Sequence, residues 1–97
     1  MMNVQQIISE LDKVEHPYIN YSLIKLGIVA DIKITDNKIS VVFAFPFPDI
    51  PIADILTDSI EKTVRSLGFG FSQKIRIMNE VEKTRFIQLE EEGWKNK

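Results

Sequence analysis

The sequence predicts a two-layer α+β sandwich, with helices on one face of a three-stranded, or at most four-stranded, β-sheet. Apolar residues recur at helical spacing in two separate segments. Between and after these segments the period changes to two, which is the period of a strand with one buried face. The order is helix, strand, strand, helix, strand and a C-terminal tail. We expect residues 1–97 to form one domain of this type.

The first helix is predicted from about Val4 to Glu15. Asn3 and Gln6 have the spacing of a capping box, in which each side chain bonds a backbone N–H of the other residue. Pro17 is expected to end the helix, because the residue before a proline is disfavoured in the α conformation. The apolar residues that follow the cap at helical spacing are Val4, Ile7, Ile8, Leu11 and Val14.

A β-hairpin is predicted next, after a short helical turn that Asn20 caps and Gly27 ends in a left-handed conformation. The hairpin turn is "TDNK" at 35–38, since Asp and Asn tolerate positive φ. One face of the hairpin is apolar and the other is largely polar. The residues assigned to the apolar face are Ala30, Ile32, Ile34, Ile39, Val41, Phe43 and Phe45.

The second helix is predicted to follow the proline-rich loop "PFPDIP" at 46–51. Asp49 is the expected N-cap, Pro51 is tolerated in the first turn, and Gly68 is the expected stop. The apolar stripe of this helix has a period of 3.6 and consists of Ile52, Ile55, Leu56, Ile60, Val64 and Leu67.

The third strand is predicted over "QKIRIMN" at 73–79, with Ile75 and Ile77 facing the core. Lys74, Arg76 and Met78 are assigned to the solvent face. Residues 82–93 fit two interpretations: "TRFIQLEEE" favours a short helix, whereas "TRFIQL" also alternates as an edge strand does. The helix is the preferred interpretation.

Composition and charge disfavour several classes of function. A net charge of −2 and a pI near 5.3 argue against binding to nucleic acid or to an anionic membrane. The sequence has no apolar run of about 18 residues and no signal-peptide pattern, so a cytoplasmic protein is expected. It has no cysteine, which removes thiolate nucleophiles and thiolate metal ligands. Since phosphate-loop and serine-nucleophile motifs are also absent, we expect no enzyme activity, catalytic residue or cofactor.

Two short motifs resemble those of the iron–sulfur cluster assembly (FSCA) domain. Pro17 is followed, at the spacing of the family's first motif, by "LGIV" at 26–29. The family's second motif, Thr-x-Pro-Gly-Cys-Pro before a helix, aligns with "PDIP" at 48–51. The resemblance extends from about Val4 to Met78. It links the chain to SufT-like and PaaD-like proteins and to the N-terminal domain of Mrp/ApbC-type ATPases.

The polar and reactive positions of these motifs differ in this chain. His16 stands where the family has Asp, Tyr18 where it has Glu, and Ile50 where it has Cys. The retained residues are those that shape the backbone or fill the core. The resemblance therefore implies the family's fold and its pathway, but neither a metal site nor a cluster site of the family type.

The candidate contact residues for a ligand or a partner are His16, Tyr18, Phe47, Asp49 and Ile50. The simplest interpretation of His16 is a surface residue near the end of the first helix, where a positive charge is favourable. A weak metal site with Asp12 and Glu15 is the alternative. For Asp49, the simplest role is the helix cap.

The leading functional hypothesis follows from the resemblance. It is a non-enzymatic adaptor in iron–sulfur cluster assembly or protein maturation, which acts through contacts with a protein partner and holds no cluster itself. The alternative is a degenerate domain that binds a small molecule or peptide between the loops at 16–21 and 46–51. A homodimer through the outer sheet face, where Val42 and Ala44 are apolar, is left open.

Overall fold

The structure is a computed structural model that describes residues 3–95, and it confirms the α+β architecture. The elements are α1 (Val4–Leu11), β1 (Val29–Ile34), β2 (Lys38–Phe45), α2 (Ala53–Ser66), β3 (Gly70–Ile77) and α3 (Glu80–Gly93). The sheet has the order β1-β2-β3, with β1 antiparallel and β3 parallel to β2. The parallel pair requires a crossover, which α2 supplies.

The C-terminal segment is helical, so the preferred interpretation of residues 82–93 is correct. Helix α3 begins with a capping box between Asn79 and Glu82, in which each side chain accepts a bond from the other's backbone N–H. This Asn-x-x-Glu spacing is a sequence signal for a helix start. It favours the helix over the edge strand before any tertiary contact is considered.

Helix α1 keeps its predicted capping box but ends four residues earlier than predicted, at Leu11. The residues that follow bond to the segment after Pro17 instead. The His16 N–H donates to the Tyr21 carbonyl (3.1 Å), and the Leu23 N–H donates to the Val14 carbonyl (3.0 Å). The first of these bonds takes a backbone N–H that would otherwise bond to the end of a helix continued to Glu15.

The short turn before the hairpin forms as predicted, but its cap is Ser22 and not Asn20. The Ser22 hydroxyl accepts a bond from the Lys25 N–H (3.0 Å) and donates to Asp12 Oδ1 (2.6 Å). Gly27 ends the turn at φ 81°, in the left-handed region that glycine adopts without strain. The backbone N–H of Asn20 donates to Gly93 at the end of α3.

The core lies between the helices and the inward face of the hairpin. Phe43, Ile39 and Val41 of β2 are fully buried, as are Leu56, Ile60 and Val64 of α2. Four of the apolar positions assigned to α1, the hairpin and α2 are exposed, and two of them are Val4 (55%) and Ile8 (39%) of α1. Ala30 lies in an irregularity of the β1–β2 register between Val29 and Asp31, which places Val29 in the core instead. Ile55 of α2 is 60% exposed.

Strand β3 differs most from its prediction. Ile75 and Ile77 share a register with the buried Phe43 and Phe45, yet they are 55% and 48% exposed. The register is right, but β3 is an edge strand and the helices do not cover its C-terminal half. Met78, assigned to solvent, is buried and donates its N–H to the Phe45 carbonyl (2.7 Å).

The outer sheet face is less available than the sequence suggested. Ala44 is fully buried; its N–H donates to the Ile28 carbonyl (2.8 Å), so the residue before β1 lies beside it in the sheet. Val42 and Ala44 are the two residues that the sequence suggested for a homodimer contact, and only Val42 is partly exposed. Within residues 3–95, no helix is both long and apolar enough to cross a membrane.

Candidate functional site

A cavity of about 190 Å³ lies where three segments meet: the stretch after α1, the loop after β2, and α3. Its walls are mainly apolar, with Phe45, Ile50 and Phe86 among them. The polar groups at the cavity belong to His16, Tyr18, Trp94 and Glu90. A small apolar cavity with a few polar groups is the common form of a ligand site.

His16 is buried, with 6% of its surface exposed, so its assignment to the surface is wrong. Because α1 ends at Leu11, His16 is not at a helix C-terminus. Its Nδ1 accepts a bond from the Tyr18 backbone N–H (3.0 Å), which requires that nitrogen to be unprotonated. Burial, and secondarily the charge of Lys95, lower the pKa of His16 below 6.5. The imidazole at this wall is therefore neutral at pH 7.

Tyr18 and Trp94 form one rim of the cavity, with ring centroids 6.1 Å apart and planes tilted by 38°. The backbone aligns them, because Ile19 and Trp94 form an isolated antiparallel bridge. The Lys95 N–H donates to the Tyr18 carbonyl (3.0 Å). The two aromatic side chains remain 47% and 39% exposed, so they present apolar surface at the cavity entrance.

The proline-rich loop forms the opposite rim. Asp49 does not cap α2, because it lies in the left-handed region at φ 59°, and the N-cap position is taken by Ile52 without any side-chain bond. Ile50 is half-buried and lines the cavity; its carbonyl accepts a bond from the Ala53 N–H (3.1 Å). A non-glycine residue at positive φ is uncommon and often marks a constrained loop.

Phe47, from the same loop, is 47% exposed, and its ring contacts the charged side chain of Lys83 in α3. Lys83 Nζ lies 4.4 Å from the Phe47 ring centroid, within the range of a cation–π contact. This contact ties the loop to the C-terminal helix.

The structure thus brings four of the five predicted contact residues to one cavity: His16, Tyr18, Phe47 and Ile50. Asp49 is in the loop but does not line the cavity. Sequence reasoning did not identify Phe86, Glu90 and Trp94 as part of the site. All three come from α3 or its end, and their place depends on how α3 docks.

The donor groups present do not fit a metal or an iron–sulfur cluster. In the described residues, no three His, Cys, Asp or Glu side chains are grouped so as to hold a metal ion. The sequence contains no cysteine, the usual ligand of iron–sulfur clusters. A metal site at His16 with Asp12 and Glu15 has no support from this geometry. The cavity can bind by shape, apolar contact and a few hydrogen bonds.

Comparison with known proteins gives the family. A search of curated proteins found no match. Among solved structures, a domain of unknown function (DUF59) from Bacillus anthracis superposes with a TM-score of 0.59 at 14% identity, over 82% of this chain and 87% of that one. This likeness shows a shared fold. The family model described as iron–sulfur cluster assembly protein matches residues 4–77, most of the chain. The chain therefore belongs to the iron–sulfur cluster assembly protein family, as the two motifs indicated.

Proposed function

We propose that this chain acts in iron–sulfur cluster assembly as a non-enzymatic adaptor, which contacts a protein partner and does not hold the cluster itself. Membership of the family supports the pathway. The observation that carries the adaptor role is the chemistry of the loop before α2. Ile50 occupies the position at which the resemblance places a cysteine, and the sequence contains no thiol at any position.

The cluster, as cargo, has no ligand set here. A side chain of carbon and hydrogen can neither coordinate iron nor carry a persulfide, whatever the helix terminus beside it contributes. The neighbouring carboxylate, Asp49, is exposed and lies outside the cavity. What the loop offers a partner is a constrained shape and apolar surface.

The cavity rim supplies the features of a protein-binding patch. Tyr18, Phe47 and Trp94 are each more than a third exposed and surround a cavity large enough for one side chain. Exposed aromatic residues around a small pocket are typical of the centre of a protein interface. A partner that inserts one apolar side chain would bury all three rings.

The adaptor role is tested by affinity capture from cells that naturally produce the protein. We expect cluster-assembly components or client proteins in the captured fraction. A Phe47→Ser variant should capture less of them. A Val81→Ser variant, changed at an apolar residue that is 79% exposed and lies away from the cavity, should capture as much as wild type. A fraction captured with the wild-type protein that contains neither cluster-assembly components nor client proteins would refute the adaptor role.

The absence of cluster binding is tested separately, by anaerobic reconstitution with ferrous iron and sulfide. A family member that retains the cysteine is the positive control. We expect iron and sulfide to leave this chain on desalting and to remain with the control. Retention of both by this chain would refute the second half of the proposal.

The second candidate function is recognition of a small molecule or a peptide side chain in the cavity. The convergence of His16, Tyr18 and Ile50 on one open cavity favours it. A volume of about 190 Å³ is below the range of drug-sized sites, so the ligand would be small. An NMR screen with small aromatic and aliphatic fragments tests it. Shifts at these residues that an Ile50→Trp variant abolishes would support it, and no shifts at all would refute it.

A further inference from the structure

We propose that the free edge of β3 is a binding site for an extended segment of a protein partner, in which apolar residues alternate with acidic ones. The segment would add a fourth strand to the sheet. This inference deepens the proposed function, since it names a surface and the chemistry of a partner for the adaptor. It rests on features of β3 that are separate from the cavity.

The first feature is an open row of backbone groups. Strand β3 is an edge strand, and within residues 3–95 no strand pairs with its outer side. The N–H groups of Gly70 and Met78 both donate to the β2 side, to Asn37 and Phe45. The direction of the backbone N–H and C=O groups alternates along a strand. Those of the even-numbered residues therefore point toward β2, and those of the odd-numbered residues point toward the free edge. The outward residues are Phe71, Gln73, Ile75 and Ile77.

The second feature is that this edge is not protected as the other one is. The opposite edge strand, β1, has six residues and a register irregularity between Val29 and Asp31, which disfavours further pairing. Strand β3 has eight residues in unbroken register with β2 and contains no proline. One outward group is partly used, because Arg76 Nη1 lies 3.4 Å from the Ile77 carbonyl. The backbone N–H and C=O groups of Phe71, Gln73 and Ile75 remain free to pair with a partner strand.

The third feature is the pattern of side chains along the edge. On the helix side of the sheet, Ile75 and Ile77 are about half exposed, so apolar residues of an added strand would cover them. On the face of the sheet away from the helices, Lys74 is exposed and takes part in no ion pair of the described residues. Arg76 is already paired with Glu82 (2.8 Å). An acidic residue opposite Lys74, flanked by apolar residues, matches both faces.

A second copy of this chain fits the edge less well. Strand β3 has the sequence GFSQKIRI and contains no acidic residue. Self-pairing would add a second Lys74 to the same face of the sheet without any opposing carboxylate in either strand. Like charges across a strand pair are destabilising. The same lysine that opposes self-pairing selects an acidic partner.

The test measures amide hydrogen exchange of the full chain by NMR, with and without an eight-residue peptide that alternates valine and glutamate. We expect the peptide to slow exchange at Phe71, Gln73 and Ile75. Ser72, Lys74 and Arg76, whose N–H groups already bond to β2, should change little. The alternation is a signature that binding elsewhere would not produce. No slowing at millimolar peptide would overturn the proposal.

Two variants and one control test the chemistry. Gln73→Pro removes an outward N–H and leaves the bonds to β2, so the fold should persist and the peptide should no longer bind. Lys74→Glu should weaken binding by on the order of tenfold and shift preference to a valine–lysine peptide. Lys33→Glu makes the same charge change on β1 and should have no effect. Equal loss in Lys33→Glu and Lys74→Glu would overturn the charge argument.

Two further outcomes separate this inference from the proposed function. If sedimentation shows a dimer whose β3 amides are protected without peptide, the occupant is a second copy and the proposal is wrong. If Gln73→Pro captures cluster-assembly proteins from cells as well as wild type does, the edge is not the contact surface, while the adaptor role stands. Loss of capture in Gln73→Pro but not in Lys33→Glu would support both.

Discussion

The docking of α3 depends on Gly93, and a Gly93→Ala substitution tests it. Gly93 is buried where the helix ends against the segment after Pro17. A Cβ added there would lie 2.9 Å from Tyr21 Cδ2 and Cε2 and 3.1 Å from Ile19 Cγ2. Ordinary carbon contacts are about 3.5–4.0 Å. Ile19 is fully buried, so relief must come from Tyr21 or from movement of the helix end.

The expected magnitude follows from opposing terms. Alanine favours a helix over glycine by at most about 1 kcal/mol, and less at a helix end. Overpacking in a filled region costs about 1–3 kcal/mol. A shift of the helix end also weakens the bond from the Asn20 N–H to the Gly93 carbonyl (2.7 Å), worth about 1 kcal/mol. We therefore expect Gly93→Ala to lower the free energy of unfolding by about 1–2 kcal/mol.

Urea unfolding, followed by far-UV circular dichroism and by fluorescence of the single tryptophan, Trp94, measures this change. Glu91→Ala is the matched control, because it places alanine two residues earlier at an exposed position of the same helix. It should change stability by less than about 0.5 kcal/mol. A Gly93→Ala protein as stable as wild type, or more stable, would show that helix propensity outweighs the contact and would refute the reasoning.

Three other perturbations follow from the structure. The bidentate contact with Arg76, and then the bond from the Asn79 N–H, lower the pKa of Glu82 from 4.5 to about 2. Its stabilisation is therefore present above pH 4.5 and lost as the pH falls toward 2. Glu82→Gln should cost at most about 1 kcal/mol at pH 7, since the pair is exposed, and much less near pH 2, where Glu82 is half protonated; urea unfolding at both pH values checks this. His16 has a lowered pKa in the fold, so the unfolded chain takes up the proton first. Stability should fall as the pH drops below about 6.5, the ordinary histidine value. An NMR titration that finds the His16 pKa at or above 6.5 would contradict this. Gly68→Ala should cost about 1–2 kcal/mol, because φ is 91° there although nothing lies within 4 Å of an added Cβ; an unchanged melting temperature would show that the backbone is not strained.

The site was only partly predictable, and the reason lies in the range of the interactions. His16, Tyr18 and Ile50 were found because they stand in motif positions on two loops of the chain, and Phe47 lies in the second of these loops. Phe86 and Glu90 carry no local signal of a site. They reach the cavity because α3 packs against the segment after Pro17. The backbone N–H of Asn20 donates to the carbonyl of Gly93, the last residue of α3.

Local signals determined the elements that form with their own neighbours. The capping box of Asn3 and Gln6, the left-handed stops at Gly27 and Gly68, and the alternation of the hairpin are short-range patterns, and each appears in the structure. The motif residues determined the family as well. Such features depend on a few adjacent residues, so the sequence states them directly.

The tertiary structure alone decided where contacts between segments override local preference. It ended α1 at Leu11 so that residues 14–16 could pair with residues 21–23, and it buried His16 in that pairing. It left Ile75 and Ile77 exposed on a strand whose pattern indicated burial, because the helices cover only part of an edge strand. Burial belongs to the whole assembly of elements, and no single stretch of sequence contains it.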